Sequence, residues 1–167
     1  MGLFTRDIES LDDLFLHQLQ DMYYAEKQII KAMPTMIDSA SSEALKDALQ
    51  THLRETEQQV QRLEQVFQLQ GAQAQGVECP AIDGIIDEAK DVNSEIADKS
   101  VLDSALIASA QSVEHYEISR YGTLIAWAQC LGKTDCVPLL RKTLEEEKAA
   151  DAKLTGLAEQ TINRRAA

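Results

Sequence analysis

Apolar residues recur every three to four positions through four long stretches of this chain, and glycine and proline are scarce within them. That period matches the 3.6-residue turn of an amphipathic helix, so each stretch must bury one face against a partner. The first runs from about Asp7 to Ser39, with Leu11, Leu14, Leu19, Met22, Tyr23, Ile29, Ile30, Met33 and Ile37 on its stripe. Pro34 falls inside it and is expected to kink its last turns. Ser41-Ser42 offers an N-cap for a second helix carrying Leu45, Leu49, Leu53, Val60, Leu63 and Val66 to about Gln70, where Gly71 ends it. Gly71 to Pro80 is the clearest break, followed by a shorter helical pattern from Ile82 to Ile96. Ser100 and Asp103 resemble a capping box that opens the third long helix, which runs to Gly132. Thr134 or Asp135 would cap the fourth, with Pro138 in its tolerated first turn and Leu140, Leu144, Leu154 and Leu157 on its stripe.

Ala, Leu, Gln, Glu and Lys dominate and aromatics make up only 5% of the 167 residues, a composition for helices and against sheet. Two tight helical hairpins joined by one long crossover predict an all-α four-helix bundle, with an extra short helix in the crossover, forming a single domain over residues 1–167. An offset of 91 residues takes Leu49 to Leu140, Leu63 to Leu154 and Glu26 to Glu117, a faint sign of internal duplication.

The net charge of -12 repels phosphate backbones, and Arg164-Arg165 is too small a basic cluster to reverse that, so no nucleic-acid partner is expected. No apolar run approaches the ~18 residues of a membrane span. The opening MGLFTRDIES lacks the layout of a secretory signal. Three cysteines (Cys79, Cys130 and Cys136) have no framework spacing, which predicts reduced thiols in a cytoplasmic protein. Cys130 and Cys136 flank a predicted turn that brings them near one another.

The informative feature is acid on the apolar stripe. Glu26 stands seven residues from both Leu19 and Met33, Glu117 seven before Leu124 and three after Glu114, and Glu147 seven from both Leu140 and Leu154. Asp151 follows Glu147 by one turn. On the second helix Thr56 occupies the stripe centre, with Glu55 to one side, grouped with His52 and Gln59. Glu26, Glu55, Glu117 and Glu147 all lie near the midpoints of their helices. At ~1.5 Å per residue, a bundle puts them in one layer. Buried carboxylates cost several kcal/mol each unless they protonate, pair with cations or hold a metal. No Lys or Arg shares the layer in the sequence pattern. Iron and manganese accept such oxygen ligands, and bundle di-metal sites draw them from facing helices.

The stretches DMYYAEKQIIKAMP, HLRETEQQVQRLEQVF, ALIASAQSVEHYEISRYGTLIAWAQCLG and LLRKTLEEEKAADAKLTGLAE resemble the YciE/YciF ferritin-like proteins of bacteria over nearly the whole chain. The resemblance implies a rubrerythrin-like bundle, commonly a homodimer, with a di-iron or manganese site and a part in stress responses. It implies metal ligands at Glu26, Glu55, Glu114, Glu117 and Glu147, with Glu55 and Glu147, or Glu117, bridging while Glu26 and Glu114 cap. Dioxygen or peroxide is the small-molecule substrate implied. The chain departs from the ferritin-like Glu-x-x-His pattern: three residues after Glu55 is Gln58, and three after Glu147 is Ala150. His52, or Asp151, must then substitute for the absent nitrogen ligands. The competing expectation is a non-catalytic dimeric helical bundle that has lost its metal or binds it weakly.

Overall fold

Ser10 opens the first helix: its hydroxyl accepts the Asp13 N–H at 3.1 Å, and the Asp13 carboxylate accepts in turn from the Ser10 hydroxyl and, at 3.4 Å, from the Glu9 N–H. Helix α1 therefore spans Leu11–Ser39, four residues shorter at its start than the hydrophobic pattern predicts, and Leu11 is left exposed. Pro34 lies inside α1 on its exposed side, and the helix continues past it to Ser39. The computed structural model describes residues 7–167. The first six residues of the opening segment therefore lie outside the described part. Among the described residues there are helices and loops and no strand.

Ser42 caps α2 (Glu43–Leu69), and α3 (Pro80–Glu95) begins with its proline at the tolerated first position. Helix α4 covers Lys99–Cys130 and α5 covers Val137–Leu157. A π-helical turn over Ala158–Ile162 leads from α5 into α6, Asn163–Ala166. Gly71 and Gly132 end α2 and α4 in the left-handed region, with φ of 64° and 69°. Beyond each, a backbone N–H reaches back to close the last turn, Ala72 to Phe67 at 3.0 Å and Lys133 to Ala128 at 2.8 Å. This double closure is the reason glycine is needed there.

Two helix starts differ from the sequence pattern. Asp98 caps α4, accepting from the N–H groups of Ser100 and Val101. Asp103, expected in a capping box with Ser100, is instead buried and accepts from Ser41 N and Oγ (both 2.7 Å) and Ser42 N (2.9 Å). It fastens the α1–α2 turn to α4, a long-range use of a carboxylate that local spacing does not reveal. Thr134 and Asp135 lie in the turn before α5, whose cap position is Cys136, without a side-chain cap bond.

Side-by-side packing joins α1 to α2, α2 to α5, α5 to α4 and α4 to α1, so α1/α5 and α2/α4 face each other across the two diagonals. This is the ferritin-like four-helix bundle, with α3 in the crossover laid against α1 and α4. The apolar core is divided into two halves. One gathers Ile29, Met33, Leu45, Leu49, Leu106 and Leu154; the other gathers Phe15, Leu19, Leu63, Phe67, Leu124 and Leu140. Between the halves, at mid-helix, the stripe positions are polar.

Candidate metal centre

Each long helix contributes to that polar layer from its buried face. Helix α1 supplies Glu26, α4 supplies Glu114 and Glu117 one turn apart, and α5 supplies Glu147, all 0–1% exposed. Helix α2 contributes His52, Thr56 and Gln59, the last two fully buried. One ligand atom from each of His52, Glu114, Glu117 and Glu147 lies within 4.8 Å of all the others. His52 Nε2 is 3.1 Å from Glu114 Oε1 and 3.9 Å from Glu147 Oε2. Glu26 belongs to the same buried layer, its carboxyl oriented by a hydrogen bond from the Tyr121 hydroxyl to Oε1.

The remaining residues singled out in the sequence lie outside this group. Glu55 is half-buried at the edge of a cavity, because the α2 face turned to the bundle axis is His52–Thr56–Gln59. Asp151 is half-buried one turn past Glu147, accepts from Gln111 Nε2 at 2.8 Å and lies 3.5 Å from His115 Nε2. Gln59, grouped with His52 in the sequence, and Arg62, which the sequence does not single out, both find partners on α5. Gln59 donates its amide to Glu147 Oε1 and, at 3.3 Å, to Glu146 Oε2. Arg62, one turn further on, is buried with its guanidinium on Thr143 Oγ1 (2.6 Å) and on both oxygens of Glu146 (2.7 and 2.6 Å). A buried cation thus stands close to the layer, committed to Glu146. Its only sequence signal is its position three residues after Gln59 on the same face.

Burial raises three carboxyls of the layer, Glu26, Glu114 and Glu117, above their ordinary range. Desolvation pushes Glu114 up to about 11, aided by the neighbouring Glu147. Glu26 and Glu117 also rise well above the usual value, first from burial and then from the charge of Glu147. The Tyr121 bond and, more weakly, Arg62 oppose the rise at Glu26. Burial raises the Tyr121 hydroxyl too, with Glu26 and Glu117 adding to the effect. Without a cation Glu114 is protonated at neutral pH, and burial drives Glu26 and Glu117 in the same direction.

The donor set fits hard divalent cations. With the carboxyls ionised, Glu26 Oε2, Glu114 Oε2, both Glu117 oxygens, Glu147 Oε2 and both nitrogens of His52 are buried without a hydrogen-bond partner; once protonated, Glu26 and Glu117, and Glu114 and Glu147, are placed to bond one another. Buried polar atoms are ordinarily paired, so a concentration of unpaired ones around a common point calls for a ligand. Four carboxylates carry four negative charges, which two divalent ions balance. Oxygen donors with a single imidazole suit iron or manganese.

A cavity of about 240 Å³ opens between α2 and α5 beside the cluster. Its lining runs from the exposed Ala149 and Lys153, past Glu55, to the buried His52 and Glu114. The three cysteines are free thiols: Cys130 is exposed, Cys136 accepts from Gln70 Nε2 at 3.0 Å, and Cys79 lies 3.2 Å from the Tyr116 hydroxyl. No helix among the described residues is long and apolar enough to cross a membrane.

Residues 10–167 match the model of a family described as a domain of unknown function, DUF892. Protein YciF of Escherichia coli (strain K12) is 42% identical over 161 residues, which cover 96% of this chain and 97% of YciF. Among solved structures, YcfI from Rhodopseudomonas palustris superposes with a TM-score of 0.89 at 56% identity, covering 92% of this chain and 98% of that one. The E. coli stress protein YciF superposes with a TM-score of 0.89 at 43% identity, covering 93% and 99%. A protein from Xanthomonas campestris pv. campestris, 19% identical, shares the fold with a TM-score of 0.71 over 90% and 92% of the two chains. The chain belongs to the DUF892 family, and to its YciF-type stress proteins.

Proposed function

We propose that this protein is a di-metal carboxylate protein that binds two divalent iron or manganese ions in the polar layer and serves in bacterial stress protection. The observation that carries this reading is the convergence of His52, Glu114, Glu117 and Glu147, all buried, with unpartnered donor atoms and no lysine or arginine ion-paired to any of them among the described residues. When bound, a metal pair of this kind supplies the capacity to bind and reduce dioxygen or a peroxide. The chain's own residues prepare the ligands. The Tyr121 hydroxyl holds Glu26 Oε1 and leaves Oε2 unpartnered. Gln59 does the same for Glu147, holding Oε1 and leaving Oε2. Arg62 pairs with both oxygens of Glu146, which leaves the neighbouring Glu147, on the inward stripe of α5, free of any ion pair with that guanidinium.

A second reading is favoured by one specific observation. Thr56 and Gln59 occupy the inward positions of α2, where bundle di-metal sites carry Glu and His. A metal-free bundle with protonated acids, capped by Gln59 and Tyr121 and acting as a dimeric interaction module, satisfies that pattern. Thermal unfolding with manganese or with chelator separates the two. An ion at a hundred times its dissociation constant adds about 2.7 kcal/mol of stability. The metal reading requires a midpoint higher by several degrees with manganese; equal midpoints favour the metal-free bundle.

A further inference from the structure

We propose that the cavity between α2 and α5 is the port through which divalent cations reach the buried layer, and that Glu55 is a transit carboxylate at its rim and not a resident ligand. The inference rests on the metal reading above and adds the route and the residue that serves it. An ion bound among Glu26, Glu117 and Glu147 is sealed in, since these side chains have no exposure and apolar core closes the layer toward both ends of the bundle. The cavity of about 240 Å³ joins the exposed Ala149 and Lys153 to His52 and Glu114, which are 6% and 1% exposed and present unpartnered donor atoms. At ~30 Å³ per water, that space admits a cation with several waters still attached.

The origin of the opening is legible in the chain. Ala150 lines the cavity three residues after Glu147, at the position where a Glu-x-x-His helix would project an imidazole. A methyl group there leaves the space open. Glu55 stands one turn after His52 and is half-buried, so its carboxylate reaches the solvent side of the passage while His52 faces the cluster. Its oxygens are outside the group of ligand atoms that converge within 4.8 Å. Lys153 lines the same opening and opposes the attraction of Glu55 for a cation.

The test combines two readouts on Ala150→Phe, Glu55→Gln and Lys153→Ala proteins, with folding checked by circular dichroism. In metal-free protein, carbethoxylation of His52 by diethyl pyrocarbonate is followed by peptide mass spectrometry, with His17 and His115, whose side chains are 42% and 66% exposed, as internal references. Ala150→Phe is expected to slow modification of His52 at least tenfold and leave the other two unchanged. In the second readout, cobalt(II) uptake is followed by stopped-flow absorbance. Ala150→Phe and Glu55→Gln are expected to slow uptake at least tenfold, Lys153→Ala to speed it, and Glu55→Gln to reach the wild-type stoichiometry. Unchanged His52 reactivity or unchanged uptake in Ala150→Phe overturns the port. A reduced final stoichiometry in Glu55→Gln overturns its transit role and makes it a ligand. Wild-type protein that takes up no cobalt fails the metal reading itself, a result distinct from both. If Ala150→Phe does not fold, Ala150→Leu provides the smaller plug under the same criteria.

Discussion

His52 Nε2 lies 3.1 Å from Glu114 Oε1, across the α2–α4 diagonal of the bundle and without the alignment of a hydrogen bond. Two polar side chains from helices that scarcely touch meet at the bundle axis only because the positions between them carry no apolar side chain. Both retain unpartnered atoms. Holding these groups together away from solvent is costly in the metal-free state, because burial and the neighbouring acids disfavour the charge each carboxyl would carry. That cost gives the following predictions their direction.

Metal-free protein should lose stability as pH rises. Glu26, Glu114 and Glu117 have folded-state values above the ordinary carboxyl value, Glu114 at about 11. Between about pH 4.5 and those values the folded chain holds protons that the unfolded chain has released. Stability is therefore fully present below about pH 4.5 and falls above it, by about 1.4 kcal/mol per pH unit for each group held protonated. Thermal midpoints in chelator should drop from pH 5 to pH 8, and manganese should remove the drop because it replaces the protons. A metal-free midpoint that rises over this range contradicts the assignment.

Glu117→Gln should separate stability from binding. The amide keeps the shape and carries no charge in either state, so the cost of holding Glu117 protonated at pH 7 disappears. Metal-free Glu117→Gln is expected to be more stable than wild type at pH 7, with a shallower pH dependence. Its metal content should fall to half or less. Denaturant unfolding and elemental analysis on one preparation measure both. A destabilised variant with full metal content would remove Glu117 from the site.

Asp103→Ala should weaken the fold while sparing the metal layer. The carboxylate accepts three hydrogen bonds from Ser41 and Ser42, two of them from backbone N–H groups. Losing it strands those donors at a cost of about 2–3 kcal/mol. Urea unfolding should show this loss with metal stoichiometry unchanged. A cost below about 0.5 kcal/mol would mean that water replaces the carboxylate freely.

The helices were legible because their period and punctuation are local. Ser42 marks a boundary by its capping hydroxyl, and Gly71, Pro80 and Gly132 by their own backbone chemistry, and each does so in the structure. Asp98 and Asp103 show where such reading fails. Both stand near the start of α4, and only the approach of the α1–α2 turn decides which one caps the helix and which one is buried. The inward acids of α1, α4 and α5 could be found from seven-residue spacing. Helix α2 was harder, because its inward face is Thr56–Gln59 and the adjacent glutamate points toward the cavity. Arg62 carries no such signal, because polar residues on a helix usually face water, and the partners of Gln59 and Arg62 follow only from α5, which brings Glu146 and Glu147 to them.

The most direct test of the metal centre is elemental analysis of tag-free protein after anaerobic loading with ferrous or manganous ion and removal of excess. Wild type should retain close to two ions per chain, and the Glu26→Gln, Glu117→Gln double variant less than half that. Less than about a tenth of an ion per chain in loaded wild type would contradict a metal centre and leave a bundle whose buried acids are held by protons alone.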